Sequence, residues 1–361
     1  MLINFPPICG SEVIFLLDER KIKVLCAVID SYIRGAEPVG SRTISKEYDL
    51  GISSATIRNE MSDLEELGYL SKPHISAGRV PSDKAYRFYV NNIIMKKQIE
   101  IDRKKKEEIK RLLIRESKEI DELIQNSAKV LSAITSYTAL AVSPQIRNMK
   151  LKHIQLVSLA DKEILLILVG STGIVKNIIL RTEEIVPEYQ LERVSNFLNS
   201  KLKGFSVNEI GSTIEYLILK EMRQYKSLID KVIMTMANSF DDFNNIQVYA
   251  DGVTNIFDFP EYKDADKART FISFIEDKEQ LIDLMLKHTL DSEIEITIGS
   301  ENIYEEIKDC SVITTTYKLG DKVIGKIGVI GPTRMDYLMA VSSLKLFSEN
   351  LSEILEKLLK G

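Results

Sequence analysis

The chain has 361 residues, 44% of them hydrophobic and 28% charged, with a formal net charge of −5, an ordinary balance for folded protein with room for two or three domains. That charge excludes a uniformly basic surface, and no apolar run reaches the roughly 18 residues that a membrane-spanning helix needs. The three cysteines, Cys9, Cys26 and Cys310, show no metal or redox spacing, which excludes a disulfide framework and fits a reducing cytoplasm.

The first stretch, "MLINFPPICGSEVIFLL", is only faintly like a signal peptide. It lacks a basic start and is interrupted by Pro6, Pro7, Gly10 and Glu12, so it reads as an extension over residues 1–17. Next, "DERKIKVLCAVIDSYIRG" places Ile22, Leu25, Cys26, Ile29 and Ile33 at helical spacing, with Gly35 as its stop. Cys26 lies on that apolar face and reads as core. A short helix follows in "EPVGSRTISKEYDLG", with Ser41 or Thr43 as cap, and Gly51 turns the chain. "SSATIRNEMSDLEELG" is a third helix: Ser53 is its cap, Ile57, Met61, Leu64 and Leu67 its buried stripe, and Gly68 its end. "YLSKP" and "RVPSDKAYRFYV" then bracket "HISAG" as strand, loop and strand, with Gly78 giving the tip its freedom. Three helices and a hairpin in this order are the winged helix-turn-helix arrangement.

From Val90 to about Ser132 the pattern is helical and charged, and the run "RKKKEEIKR" reads as a solvated face in a connector. "LKHIQLVSLADKEILLILVGSTGIVKNIILRT" is an antiparallel meander of three strands, with "GSTG" as a turn. Helices are predicted in "PEYQLERVSNFLNSKLKG", "NEIGSTIEYLILKE" and "KSLIDKVIMTMANSF". Strands "NIQVYA" and "TNIFDF" come next, then two helices to about His288. The chain closes with strands "IEITIG", "CSVITTTYKL" and "KVIGKIGVIG" and the long helix "MDYLMAVSSLKLFSENLSEILEKLLK". A strand-rich region split by a helical block implies an α+β protein in which one domain is inserted in another.

The third helix raises the functional question. One face is apolar, whereas the other carries Ser53, Ser54, Ala55, Thr56, Arg58 and Asn59. A solvated face would usually hold Glu and Lys. A helix laid in the major groove, about 12 Å wide, needs small residues at its leading end for close approach. Arg58 then has two candidate partners, a guanine edge or a phosphate, and Asn59 suits adenine. Ser53 can cap the helix and still contact DNA. A plain surface ion pair for Arg58 would leave the small polar face without a purpose. Ser41 and Arg42 open the preceding helix, a usual place for a phosphate or groove contact, although Arg42 also suits a merely exposed position. In the hairpin, Lys72, His74, Ser76 and Arg79 are placed for the DNA backbone or minor groove, with His74 weaker than Arg79. Tyr86, Phe88 and Tyr89 suit either a base-stacking platform or, the preferred reading, an anchor for the hairpin. Between Asp18 and Gln98 thirteen Lys and Arg stand against eleven Asp and Glu, a small basic bias within an acidic chain.

Catalytic signals are thin. No phosphate-binding loop, H-E-x-x-H or G-x-S-x-G motif occurs, and the histidines His74, His153 and His288 show no ligand spacing. No metal site is expected. "GKIGVIGP" looks like a glycine-rich phosphate loop, but strand alternation runs through it.

Together, "PVGSRT", "SSATIRNEM" and "LEELGYL" followed by "PHISAGRVP" resemble the N-terminal signature of the HrcA family of bacterial heat-inducible transcription repressors, and "GKIGVIGPTRMDY" is similar to its C-terminal signature. The resemblance covers Leu17 to Leu359. It implies a homodimer on an inverted repeat of double-stranded DNA, the CIRCE operator, ahead of chaperone operons. It implies the GroE chaperonin as the partner that keeps the repressor active, no cofactor, no enzymatic activity, and a location in the cytoplasm without membrane attachment. It also implies a GAF-like domain interrupted by an inserted dimerisation domain. The expected layout is an extension at 1–17, a winged helix at 18–98 and a connector at 99–135. GAF-like parts are expected at 136–190 and 291–361, around an insertion at 191–290. The alternative is a regulator whose GAF-like domain senses a small molecule. An enzyme acting on nucleic acid has no acidic metal cluster to support it.

Overall fold

The computed structural model describes residues 17–74, 77–96, 103–115, 120–144, 150–170, 175–205, 222–244, 246–286 and 293–360. The chain is of mixed α+β class and divides into two compact units. The first takes residues 1–142, 248–317 and 326–350; the second takes 143–247, 318–325 and 351–361.

In the first unit, α1 (Glu19–Gly35) is capped by Asp18, whose side chain accepts from Lys21 N at 2.8 Å. The helix buries Val24, Leu25, Val28 and Ile29. Gly35 is its last residue rather than its stop, and Ala36 takes the left-handed turn at φ 55°. Helix α2 (Ser41–Glu47) is capped by Gly40, so Ser41 and Thr43 lie inside it instead of capping it. Helix α3 (Ser54–Glu66) has the expected cap: Ser53 Oγ accepts from Thr56 N at 3.1 Å. Ile57, Met61 and Leu64 are buried, and Gly68 ends the helix at φ 75°. An ion-pair cluster and a hydrogen bond tie the three helices together. Lys21 Nζ lies 3.0 Å from both Glu60 and Asp63, and Tyr48 Oη donates to Asp30 at 3.0 Å.

Strands β1 (Leu70–Ser71) and β2 (Val80–Pro81) pair antiparallel, Leu70 opposite Pro81. The strand expected to continue through "SDKAYRFYV" is instead helix α4 (Asp83–Tyr89), followed by a π-helical turn over Val90–Ile94. The Ser82–Asp83 start explains it: Ser82 Oγ accepts from Ala85 N and its hydroxyl donates to Gly68 O at 2.7 Å. That cap outweighs the strand preference of the aromatic residues. Tyr86 and Phe88 are buried, and Phe88 meets Tyr69 edge-on at 5.8 Å, so these rings serve as an anchor.

Helices α5 (Arg103–Arg115) and α6 (Ile120–Thr135) come next. Asn126 of α6 donates to the Leu112 carbonyl near the end of α5 at 3.1 Å. A five-stranded sheet is built from β3 (Thr138–Val142), β7 (Val248–Asp251), β8 (Ile294–Ile298), β9 (Cys310–Leu319) and β10 (Lys322–Pro332), in the order β7-β3-β10-β9-β8. As expected, "GKIGVIGP" belongs to β10 and leads to the last helix, α11 (Tyr337–Lys360). "TNIFDF" is not a strand. It lies in a 3-10 segment, Val253–Asp258, entered through Gly252 at φ 69°. A Cβ at Gly252 would sit 1.8 Å from Ser132 Oγ, so the turn is locked against α6. Helices α9 (Ala265–Glu276) and α10 (Lys278–Leu286) follow, while His288 lies outside the described residues.

In the second unit, β4 (Leu151–Ala160), β5 (Glu163–Gly170) and β6 (Val175–Arg181) form the expected antiparallel meander. Helix α7 (Glu188–Leu202) covers one face, and α8 (Lys226–Asn244) follows. The helix predicted in "NEIGSTIEYLILKE" and the "STG" of the "GSTG" turn lie outside the described residues. The meander does not join β3 in one sheet, and the second unit takes up the chain at residue 143. Burial explains the separation. All five residues of β3 are buried, whereas β5 alternates buried and half-buried positions, the pattern of a strand with one covered face. Asn199 and Ser195 of α7 close the free edge of β4. Asn199 exchanges two hydrogen bonds with Ile154 at 2.7 and 2.8 Å, and Ser195 Oγ accepts from Leu156 N at 3.0 Å.

Candidate nucleic-acid interface

The exposed end of α3 is shaped by its cap. Ser53 Oγ takes the Thr56 N–H and lies 2.9 Å from Thr56 Oγ1, which leaves the leading turn compact and uncharged. Ser54 Oγ donates to Ser41 Oγ at 3.4 Å, so the N-terminal ends of α2 and α3 meet. Around them Ser53, Ala55, Arg42, Arg58 and Asn59 are exposed, and Ser41, Ser54 and Thr56 are half-buried. Neither Arg42 nor Arg58 has an ion-pair partner among the described residues, and both guanidinium groups are open to solvent. On the opposite face Glu60 is buried against Lys21, which its hydrogen bonds, with those of Asp63, hold above the usual lysine range. Glu60 and Asp63 thus engage Lys21 behind the helix, and Arg58 on its forward face keeps no acidic partner among the described residues.

The hairpin divides the expected residues. Lys72 and His74 are exposed, and Lys72 is unpaired among the described residues. Ser76 lies outside the described residues. Arg79 is engaged: its Nη2 lies 2.7 Å from Glu65 Oε2, and its backbone exchanges hydrogen bonds with Val39 at 2.8 and 2.9 Å. Its buried Nε has no partner among the described residues. Arg79 therefore ties the hairpin to α3 and to the turn before α2. Gly78 is needed for closeness rather than freedom, since a Cβ there would lie 2.5 Å from the Val39 backbone. Lys84 Nζ, which the sequence reading passed over, donates to the Leu67 carbonyl at 2.8 Å and sits 4.4 Å from the Tyr69 ring centroid.

Away from this face little chemistry is assembled. No group of three His, Cys, Asp or Glu among the described residues could hold a metal ion, and no described helix is long and apolar enough to cross a membrane. Cys26 and Cys310 are buried, and burial pushes both thiols up to about 12. His153 is exposed beside Gln155, 3.3 Å away.

The comparisons with known proteins agree with the signatures. The family model described as HrcA protein C terminal domain matches residues 121–341. A heat-inducible transcription repressor HrcA from Alkaliphilus metalliredigens is 41% identical over 94% of this chain and 98% of its own length. Its counterpart from Caldanaerobacter subterraneus is 42% identical over 95% and 98%. Among solved structures, one described as a hypothetical protein shares the fold with a TM-score of 0.62 at 22% identity, covering 95% of this chain and 99% of that one. A motif at each end, a family model across the middle and relatives aligned over nearly the whole length place the chain in the HrcA family of heat-inducible transcription repressors.

Proposed function

We propose that residues 18–98 are a winged helix-turn-helix that binds double-stranded DNA, with α3 as the reading helix and the β1–β2 hairpin as its wing. The observation that carries this is the leading turn of α3: small and uncharged, exposed at Ser53 and Ala55, and followed by the exposed guanidinium of Arg58, unpaired among the described residues. Ser54, Thr56, Arg58 and Asn59 meet base edges. Arg42 and Lys72 meet phosphates, and Ser41, Ser53, Ala55, His74 and Ser76 complete the contact surface. Arg79 acts first through the hairpin's shape, and it reaches the backbone only by leaving Glu65.

The target is an inverted repeat, the CIRCE operator ahead of chaperone operons, bound by two copies of the chain. A two-fold protein needs a two-fold site. The five-stranded sheet with α6 and the first part of α11 is the GAF-like domain, and residues 143–247 of the second unit are the inserted dimerisation domain, which starts the insertion earlier than the expected 191. Support for the dimer comes from the more open face of the β4–β5–β6 sheet. There Val157, Leu165 and Ile179 stand in one cross-strand row, with Val157 and Ile179 exposed. The GroE chaperonin keeps the repressor active. During heat shock unfolded proteins occupy the chaperonin, and repression is lost.

Footprinting of the region upstream of a chaperone operon, with and without the chaperonin, tests this reading. The expected result is two symmetric protected half-sites, strengthened by the chaperonin. Absence of any protected repeat would overturn it.

A further inference from the structure

Within the first unit, helix α4 and the end of α1 are tied to elements some two to three hundred positions away. Arg87 donates from Nε to Glu301 Oε1 at 2.8 Å and from Nη2 to the Ile296 carbonyl at 2.7 Å, and Nη2 also meets Glu301 Oε2. Glu301 is itself held, because it accepts from Ile298 N at 2.9 Å. One helical turn earlier, Asp83 Oδ2 accepts from Ser300 N and from Ser300 Oγ, both at 2.8 Å. Gly299, at φ 55°, allows this approach: a Cβ there would lie 2.3 Å from the Asp83 carboxylate. A third tie comes from the "PTRMDY" stretch. Arg334 donates from Nη1 to the Ile33 carbonyl in the last turn of α1 at 2.9 Å, while Nε and Nη2 grip Glu261. The rings of Tyr86 and Tyr337, both buried, lie 5.9 Å apart.

Apolar burial alone is non-directional and would hold the three-helix module without fixing its angle. A forked guanidinium–carboxylate pair and a carboxylate seated on a backbone N–H are directional. Two such ties on α4, with the Arg334–Ile33 hydrogen bond on α1, leave the module no free rotation against the five-stranded sheet. None of these residues belongs to the exposed face of α3, so their route to DNA binding is orientation.

We propose that Asp83, Arg87 and Arg334 are positioning residues: with Ser300, Glu301 and Glu261 they fix the angle of the reading helix, so that the protein measures the spacing between half-sites as well as their bases. The inference rests on the proposed binding of an inverted repeat by two copies of the chain. Each base pair added between half-sites displaces one of them by about 3.4 Å and turns it by about 35°. A reading helix held at one angle cannot follow that movement, whereas a helix on a loose joint can.

The test measures affinity of the full-length chain for the CIRCE repeat with its native spacer, for spacers longer or shorter by one and two base pairs, and for a duplex with a single half-site. The unaltered chain is expected to lose about tenfold in affinity for each base pair of mis-spacing. The double variant Arg87→Ala, Glu301→Ala should flatten that loss to about threefold or less, with affinity for the single half-site unchanged within about twofold. Asp83→Ala, which breaks a different tie, should flatten the profile in the same direction. A spacing profile as steep as that of the unaltered chain in both variants would overturn the proposal. Loss of single half-site binding would overturn it too, by assigning these residues to the folding of the module itself. Tighter binding at every spacing would also overturn it, by showing a latch that holds the module off DNA. Binding of the repeat by the unaltered chain without spacing preference would sink the inference and leave the repressor reading standing. Failure to bind any inverted repeat would sink that reading first.

Discussion

Arg58 and Lys72 differ in what they are expected to touch, although both are exposed and unpaired among the described residues. Arg58 follows a compact, uncharged turn, so Arg58→Ala should weaken operator binding by about 1–3 kcal/mol while scrambled duplex is affected far less. Equal weakening on both duplexes, measured by competition, would assign Arg58 to phosphate alone. Lys72→Ala should lower the slope of log affinity against log salt by about one, uniformly across sequences; an unchanged slope removes Lys72 from the contact surface. Arg79 behaves otherwise, because Glu65 already holds it at 2.7 Å. The two buried thiols give a check on the core. With Cys26 and Cys310 pushed up to about 12, neither should react with a thiol reagent at pH 8 until the chain is unfolded. Rapid labelling of either one in the folded protein would show that its surroundings are open. Residue types alone made the α3 face legible, since small polar residues beside one arginine have few other uses. They did not reveal the bond between Arg79 and Glu65, because an arginine's partner depends on what the fold brings near.

At the scale of elements, caps and close approaches decide more than propensity. Ser53→Ala removes the acceptor for the Thr56 N–H and should cost about 1 kcal/mol of stability in denaturant unfolding. No change in the transition midpoint would mean that water satisfies the Thr56 N–H as well as the Ser53 hydroxyl does. Gly78→Ala should cost more, about 1–3 kcal/mol, since its methyl would meet the Val39 backbone at 2.5 Å. A melting temperature like that of the unaltered chain would show that the hairpin shifts freely. The same scale explains the misread elements. "SDKAYRFYV" has the aromatic residues of a strand, yet Ser82 caps a helix there. "TNIFDF" has strand-like composition, yet Gly252 turns the chain into a 3-10 segment against Ser132. In both places a local hydrogen bond or turn overrode a β preference that is itself set by surroundings.

For the whole molecule, the dimeric reading predicts two chains per inverted-repeat duplex in sedimentation; a stoichiometry of one would overturn it. Affinity should also fall with salt, in proportion to the number of phosphates that the local cationic face of Arg42 and Lys72 neutralises. The sequence alone determined the three helices of the N-terminal module, the face of α3, the antiparallel meander, the closing strands and the family, because helical spacing, caps and signature motifs are local properties of the chain. Only the tertiary structure decided that β3 pairs with β7 and β10 and stays apart from the meander, that Arg79 faces Glu65, and that Asp83, Arg87 and Arg334 join the helical module to the sheet. Those choices depend on which distant surfaces share a core, and no local pattern encodes them: Arg87 and Glu301 are 214 positions apart.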